Sequence, residues 1–161
     1  MFVKALVLCV AMVMMTNMTS AGWSEETNYI SKGFGLSIAT DKAVYHPTEP
    51  ITITLVIFNH TEDTLTFTFA SSQRYDFFIR REEKEIWRWS ADKLFAQMMG
   101  KERIESGECL IYKETYKAKE KPISGTYTIT GVLTCRDPLK TLEGTVCIQV
   151  SEEELNINKV L

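Results

Sequence analysis

The residues with the clearest chemical potential are aromatic and charged side chains concentrated in one short stretch. Tyr75 and Asp76 are followed, after a polar break, by Trp87, Arg88 and Trp89. Tryptophan, tyrosine and arginine are enriched at binding hot spots because each combines a large contact area with a polar group. The stretch therefore indicates recognition of another molecule.

The sequence carries no recognisable catalytic motif. It has no Gly-x-Ser-x-Gly elbow, no His-Glu-x-x-His and no glycine-rich phosphate loop. The two histidines, His46 and His60, lie in predicted turns, and Glu82 and Glu83 lie in an exposed hairpin loop where nothing would shift a carboxyl pKa. No Cys-x-x-Cys pair is present to hold a metal. We therefore expect a protein that is not an enzyme and needs no metal or cofactor.

A β-hairpin is the element that would position the aromatic side chains. Strand side chains alternate between faces, so Tyr75 shares a face with Phe77, and Trp87 shares a face with Trp89. One antiparallel register satisfies both halves, setting Tyr75 opposite Trp89 and Phe77 opposite Trp87. A slip of one residue would scatter the rings onto both faces.

The same register predicts a cross-strand ion pair between Asp76 and Arg88. On a wet face such a pair contributes roughly 0.2–1 kcal/mol. Covered by Phe95 and a following helix, it would be a buried contact whose disruption is costly. Trp87 and Trp89 have two interpretations as well, as core residues or as a row of rings facing a ligand.

A short helix is predicted over residues 91–99. Leu94, Phe95, Met98 and Met99 fall at helical spacing, Ser90 can act as the N-cap, and the glycine at position 100 can end the helix. In this interpretation the methionines pack the helix onto a sheet.

The rest of the chain reads as strands. Runs 51–57 and 65–69 alternate apolar residues with threonine and predict two strands that pair as a hairpin. Further strands are predicted at 34–39, 108–116, 126–134 and 144–150. The pattern predicts an all-β sandwich of about seven to eight strands with one short helix.

The chain divides into one predicted domain with extensions at both ends. Lys4 precedes an apolar run at residues 5–15, too short for a typical membrane span, and small residues follow at 19–21. We expect a signal peptide at residues 1–21, cleaved after Ala21, and a secreted or cell-envelope protein with no membrane span after cleavage. An uncleaved anchor is the alternative. Residues 22–33 are predicted as a flexible lead-in, 34–151 as the domain and 152–161 as an acidic tail.

The charge balance excludes one class of partner. The formal net charge is −3, so the chain does not have the basic character that a phosphate backbone requires. The lysines at 113, 117, 119 and 121 are interrupted by glutamates and are interpreted as a solvated strand end.

The three cysteines beyond the predicted signal leave the disulfides open. By parity Cys135 faces inward and Cys147 outward, so a bond between them needs a bulge near Arg136.

Several segments resemble one protein family. They are residues 72–77 (Ser-Gln-Arg-Tyr-Asp-Phe) and 87–90 (Trp-Arg-Trp-Ser), followed by Phe95 and Gln97. Weaker matches lie at 107–112, 125–127 and 131–133. Together these residues resemble the Bacillus-type intracellular proteinase inhibitor family, over roughly residues 35 to 135. The chain departs from the family at Tyr116, where a tryptophan is expected, and in its export signal.

The resemblance implies an immunoglobulin-like sandwich and, from the founding member, inhibition of a serine protease. We expect a monomer that occludes the active site of a subtilisin-type protease. The residues expected to bind the partner protein are Tyr75, Asp76, Trp87, Arg88, Trp89, Phe95, Met98 and Met99.

Two segments are candidates for the inhibitory contact. Phe95–Glu102 places Met98 and Met99 where a large apolar pocket would accept them, and Lys119–Pro122 forms a second loop. An adhesion or assembly module with the same fold, and a carbohydrate-binding module using exposed rings, are the alternative functions.

Overall fold

Alternating apolar residues form strands along most of the described chain. The computed structural model describes residues 25–31, 33–136 and 142–152. The strands are β1 (Glu25–Ser31), β2 (Phe34–Thr40), β3 (Val44–Tyr45), β4 (Ile51–Asn59), β5 (Leu65–Phe69), β6 (Tyr75–Arg81), β7 (Lys84–Arg88), β8 (Gly100–Ile104), β9 (Cys109–Tyr116), β10 (Gly125–Leu133) and β11 (Leu142–Val150). A single 3₁₀ turn, Trp89–Asp92, is the helical element of this part of the chain.

Two larger sheets form the body of the protein. The first has the order β1-β2-β4-β9 and the second the order β3-β11-β10-β6-β7, with a separate pair β5-β8. The short β3 follows β2 along the chain but belongs to the second sheet, where it runs parallel to β11. All other pairs are antiparallel. This is an immunoglobulin-like sandwich, as predicted.

The predicted strand count is wrong. The described residues contain ten strands of at least five residues and the two-residue β3, where seven to eight were expected. The predicted lead-in at 22–33 contains one of the additional strands, β1, which pairs along β2. The predicted signal peptide, and all but the first residue of the predicted tail, lie outside the described residues.

The core consists of the inward residues of both sheets. Fully enclosed members include Leu36, Ile38, Ile53, Leu55 and Ile57 from the first sheet and Phe77, Ile79, Ile129 and Leu133 from the second. β4 is buried at eight of its nine positions because it is an inner strand covered on both faces.

The predicted pairing of runs 51–57 and 65–69 is wrong. β4 pairs with β2 and β9, whereas β5 pairs with β8, a strand that the sequence pattern did not reveal. Alternation identifies the buried face of a strand but does not identify its neighbouring strand. The helix predicted over residues 91–99 also hides the start of β8 at Gly100.

Cys147 is exposed, as its parity predicts, and no disulfide joins it to Cys135.

Two glycines set the distance between the sheets. Gly131 and Gly144 lie opposite each other in β10 and β11. A Cβ on Gly131 would lie 3.0 Å from Ile38 Cδ1 and 3.2 Å from Leu55 Cδ1, and a Cβ on Gly144 would lie 2.9 Å from a Leu36 methyl. The first sheet therefore packs directly against the backbone of the second.

Because an added methyl group would crowd the buried side chains of Ile38, Phe77 and Leu55 at 3.0–3.2 Å, Gly131→Ala should lower the free energy of unfolding by about 2 kcal/mol. Chemical denaturation followed by tryptophan fluorescence measures it. Thr126→Ala, at an exposed position of the same strand, is the control and should change stability by less than about 0.5 kcal/mol. Equal stability of the two variants would contradict the tight contact.

Candidate functional site

The hairpin forms, but its register differs from the predicted one. Trp87 lies opposite Ile79 and Arg88 opposite Phe78, with a bulge after Ile79. The shift from the predicted pairs is two residues, so each side chain keeps its predicted face. Trp89 lies beyond the end of β7, in the 3₁₀ turn. The aromatic face is therefore confirmed, whereas the predicted partners are wrong.

Aromatic rings on this face join the two sheets along one side of the sandwich. Tyr75 of β6 stacks on Tyr112 of β9, with 4.5 Å between centroids and 27° between planes. Trp89 packs on Tyr75 at 4.4 Å. Further along, Trp87 of β7 contacts Tyr116 of β9 at 5.0 Å. We call these five residues the aromatic seam. All five are half-buried, so the rings pack on one another while part of each stays at the surface.

A polar contact crosses the sheets within the seam. Tyr75 Oη donates a hydrogen bond to Glu114 Oε1 at 2.5 Å. Burial raises the pKa of the Tyr75 phenol, and the bond to Glu114 raises it further. Burial also raises the pKa of Tyr112 to about 12. Both phenols are therefore neutral over the physiological pH range.

Asp76 is buried, but its predicted partner is wrong. Its Oδ2 accepts the Ser90 hydroxyl at 2.5 Å, and its Oδ1 accepts the Ser90 backbone N–H at 3.1 Å. Oδ1 also accepts the N–H of the next residue. Arg88 is exposed, binds Glu85 through two hydrogen bonds of 3.0 and 2.9 Å, and lies over the Phe78 ring. Asp76 therefore holds the turn that follows β7 and does not form the predicted ion pair with Arg88.

The predicted helix over 91–99 is absent. After the 3₁₀ turn the backbone becomes extended at Lys93, with φ −112° and ψ 148°. Residues 93–99, which we call the 93–99 loop, carry no helix or strand. Leu94 is fully exposed, and Met98 and Met99 are 67% and 66% exposed. The interpretation that these methionines pack a helix onto the sheet is therefore wrong.

The 93–99 loop is nevertheless held in place at its middle and near its start. Ser72 N–H donates to the Ala96 carbonyl at 2.9 Å, and Ala96 N–H donates to Ser72 Oγ at 2.9 Å. The half-buried ring of Phe95 lies 5.8 Å from Trp89. The loop thus rests on the seam while its apolar side chains point to solvent.

The far end of the loop is fixed by an arginine. Arg74 binds Glu102 at 2.9 Å and the Ser71 carbonyl at 2.8 Å, and its guanidinium covers the Phe69 ring. Gly100 lies next to it, and a Cβ there would lie 2.3 Å from the guanidinium and would displace the arginine head. The loop consequently enters β8 along a fixed path.

The predicted site residues divide into three groups. Tyr75, Trp87, Trp89 and Phe95 are half-buried supports, Asp76 is a buried anchor and Arg88 lies on the outer face. Met98 and Met99 are exposed. Sequence reasoning missed Leu94 as an exposed side chain and Tyr112 and Tyr116 as partners of the seam. The alternation of 110, 112, 114 and 116 along β9 could have placed those tyrosines on the inner face.

The seam does not provide a flat platform for a sugar. Trp89 is half-buried, with Tyr75 packed against it and the Lys93 ammonium 4.7 Å from its ring centroid. The carbohydrate-binding alternative requires a solvent-facing pair of coplanar rings at this position, and that requirement is not met.

No group of three or more His, Cys, Asp or Glu side chains in residues 25–31, 33–136 and 142–152 is arranged to hold a metal ion. In the same ranges no helix has the length and apolar character to cross a membrane.

Replacing Asp76 should release the 93–99 loop. Asp76→Ala leaves the Ser90 N–H and hydroxyl without their acceptor, which should cost about 2–3 kcal/mol of stability and speed cleavage within the loop by an unrelated protease. Denaturation and mass-spectrometric mapping of limited proteolysis measure the two effects. Arg88→Ala is the control, since an exposed ion pair contributes less than about 1 kcal/mol. Equal losses of stability in the two variants would contradict this account and support the predicted Asp76–Arg88 ion pair.

The Tyr75 hydroxyl should contribute stability that depends on pH. Tyr75→Phe removes its bond to Glu114 and should cost about 1 kcal/mol at pH 7. An unfolded tyrosine titrates near pH 10 and the folded-state pKa is higher, so this contribution is complete below about pH 10 and is lost as the pH rises further. The stability difference between wild type and variant should therefore shrink above pH 10 in denaturation curves. A constant difference would contradict the raised pKa.

The solved structures named next are only distantly similar to this chain. Spo0M, a sporulation control protein from Bacillus subtilis, is 14% identical with a TM-score of 0.48 and 74% of this chain covered, and this chain spans half the length of Spo0M. A CARDB domain from Pyrococcus furiosus is 8% identical with a TM-score of 0.43, covering 75% of this chain and 96% of its own length. No curated protein sequence matches the chain.

The family comparison is informative. The profile of the BsuPI family, described as intracellular proteinase inhibitor, matches residues 38–138. The matched range runs from β2 through β10 and includes the seam, the Asp76 anchor and the 93–99 loop. Because the match covers more than half of the 161 residues, the chain belongs to the BsuPI family of intracellular proteinase inhibitors.

Proposed function

We propose that this protein inhibits a serine protease of the subtilisin type by placing the 93–99 loop in the active-site cleft. The observation that supports the proposal is the state of that loop. It carries no helix or strand, begins with extended backbone at Lys93, is hydrogen-bonded at its middle, and exposes Leu94, Met98 and Met99. Membership of the family supports a protease as the target.

A loop held in advance binds more tightly than a free one. A flexible segment loses conformational freedom when it enters a cleft, and this loss opposes association. Here Ser72 already fixes Ala96, and Phe95 already packs near Trp89. Protease–inhibitor complexes characteristically change shape little on binding, and these contacts favour a loop that is already formed before it binds.

The chemistry of the loop suits an apolar cleft. Residues 94–100 read Leu-Phe-Ala-Gln-Met-Met-Gly and carry no charge, while Lys93 and Lys101 flank them. Methionine is unbranched and adapts to pockets of irregular shape. Met98 or Met99 is therefore the side chain we assign to the primary pocket of the protease, with Leu94 contacting the cleft on the other side of Ala96.

We also propose that the protein acts as a monomer outside the cytoplasm. The support for export is the pattern of Lys4, the apolar run and the small residues up to Ala21. A target protease would then be extracellular or located in the envelope. Intact-mass measurement of the protein from its native host tests cleavage after Ala21.

Titration of a subtilisin-type protease with the purified protein should show stoichiometric loss of activity. Met98→Asp or Met99→Asp, whichever residue fills the primary pocket, should weaken inhibition by about 30-fold or more, since a hot-spot residue contributes about 2 kcal/mol or more. A peptide substrate assay measures the inhibition constants.

The matched control is Ile123→Asp, because Ile123 is 68% exposed and lies away from the loop. It should leave inhibition unchanged. Full protease activity at a molar excess of the wild-type protein, for serine proteases of several specificities, would refute the proposal.

A further inference from the structure

A groove opens beside the aromatic seam, on the side away from the 93–99 loop. It lies between β7 and the segment that joins β9 to β10, and encloses about 680 Å³. We call it the lateral groove. Its apolar floor consists of Ile86, Trp87, Tyr116, Ile123 and Tyr127. Ile86 and Ile123 are 42% and 68% exposed, so the floor offers apolar surface to solvent.

The rim of the lateral groove is strongly basic. Its cationic residues are Arg81, Lys84, Lys117, Lys119 and Lys121, against two carboxylates, Glu82 and Glu120. This excess of positive charge lies on a chain whose formal net charge is −3. Three of the four lysines interpreted from the sequence as a solvated strand end, those at 117, 119 and 121, therefore converge on one apolar surface.

The rim already binds a carboxylate of this chain. Lys121 Nζ lies 2.6 Å from Glu152 Oε1. The hydrogen bond from Lys121 lowers the pKa of Glu152. Lys121 therefore shows that the rim can pair with a carboxylate, and the other cationic residues of the rim surround the same groove.

The groove has a fixed shape on both sides. Tyr127 Oη donates to the Ile123 carbonyl at 2.7 Å, which ties the connecting segment to β10. On the other side, β7 ends its sheet, and its outer edge pairs with no strand of the described residues. An exposed strand edge presents unpaired backbone N–H and C=O groups, which an extended peptide can use.

We propose that the lateral groove binds an extended acidic segment of a partner protein, added to the edge of β7 as a further strand. Side chains of a strand alternate between faces, so a segment that alternates aliphatic and acidic residues fits both features. The aliphatic residues lie on Trp87, Tyr116 and Ile123, and the carboxylates meet the lysines of the rim. This assignment does not depend on the inhibitory role of the 93–99 loop.

The test measures fluorescence anisotropy of a short labelled peptide that alternates leucine with glutamate, titrated with the full chain at low salt. Saturable binding is expected. Peptides that alternate leucine with lysine, or serine with glutamate, should bind at least tenfold more weakly. Affinity should fall as salt is added, because the rim contacts are exposed.

Variants locate the site. Lys84→Glu combined with Lys119→Glu should weaken binding by about tenfold, since it replaces two exposed attractions with repulsions. Ile123→Asp should weaken it by a similar factor. Lys101→Glu, an exposed lysine outside the groove, and Met98→Asp in the loop should leave peptide binding unchanged, which separates this test from that of inhibition.

Any one of five results would overturn the assignment. The first is absence of saturable binding to the leucine–glutamate peptide. The second is equal affinity for all three peptides, and the third is equal affinity of Lys84→Glu/Lys119→Glu and the wild type for the leucine–glutamate peptide. The fourth is tighter binding of a single-stranded oligonucleotide than of the peptide. The fifth is a full chain with Glu153→Lys and Glu154→Lys that binds the peptide tenfold more tightly, which would assign the groove to the chain's own C-terminal residues.

Discussion

The contact between Tyr75 and Tyr112 is the interaction on which the rest of the functional surface depends. These two rings lie on different sheets, and their stacking at 4.5 Å brings the β6–β7 hairpin against β9. Aromatic pairs of this kind contribute about 0.5–1.5 kcal/mol beyond the area they bury. Trp87 and Tyr116 repeat the arrangement further along the same side. Both candidate binding surfaces are attached to this line of rings.

Each surface uses a different end of the seam. At one end Trp89 and Phe95 support the 93–99 loop, which exposes three apolar side chains to solvent. Exposed apolar clusters mark interaction sites on soluble proteins. At the other end Trp87 and Tyr116 form the floor of the lateral groove. A single structural device therefore holds two surfaces of different chemistry, one uncharged and one basic.

The loop shows how hydrogen bonds to residues distant in sequence override a helical pattern. Leu94, Phe95, Met98 and Met99 have the spacing of a helix face, but a helix needs a surface on which to bury that face. Instead, the Asp76 carboxylate accepts hydrogen bonds from the Ser90 N–H and hydroxyl, and the Ser72 N–H donates to the Ala96 carbonyl. These partners are distant in sequence, so a pattern within residues 90–99 contains no information about them. The same limit explains why β8 and its pairing with β5 were missed.

What the sequence did predict follows from the alternation of strand side chains. Alternation depends only on neighbouring residues, so the shared face of Tyr75, Phe77, Trp87 and Trp89 was predicted even though the register was shifted by two residues. The bulge after Ile79 depends on how the hairpin packs and has no clear signature in the residue types. The basic groove was missed because Arg81 and Lys84 are far in sequence from the lysines at 117–121, and only the fold brings them together.

Hydrogen–deuterium exchange is the most direct test of the central claim, that the 93–99 loop is the protease-contacting surface. The protein is compared alone and with an equimolar subtilisin-type protease whose catalytic serine has been inactivated. The account predicts slower exchange at the backbone amides of residues 93–99 in the complex. The backbone amides of the first sheet should exchange at the same rate in both samples. A stable complex in which those amides exchange at the same rate as in the unbound protein would contradict it.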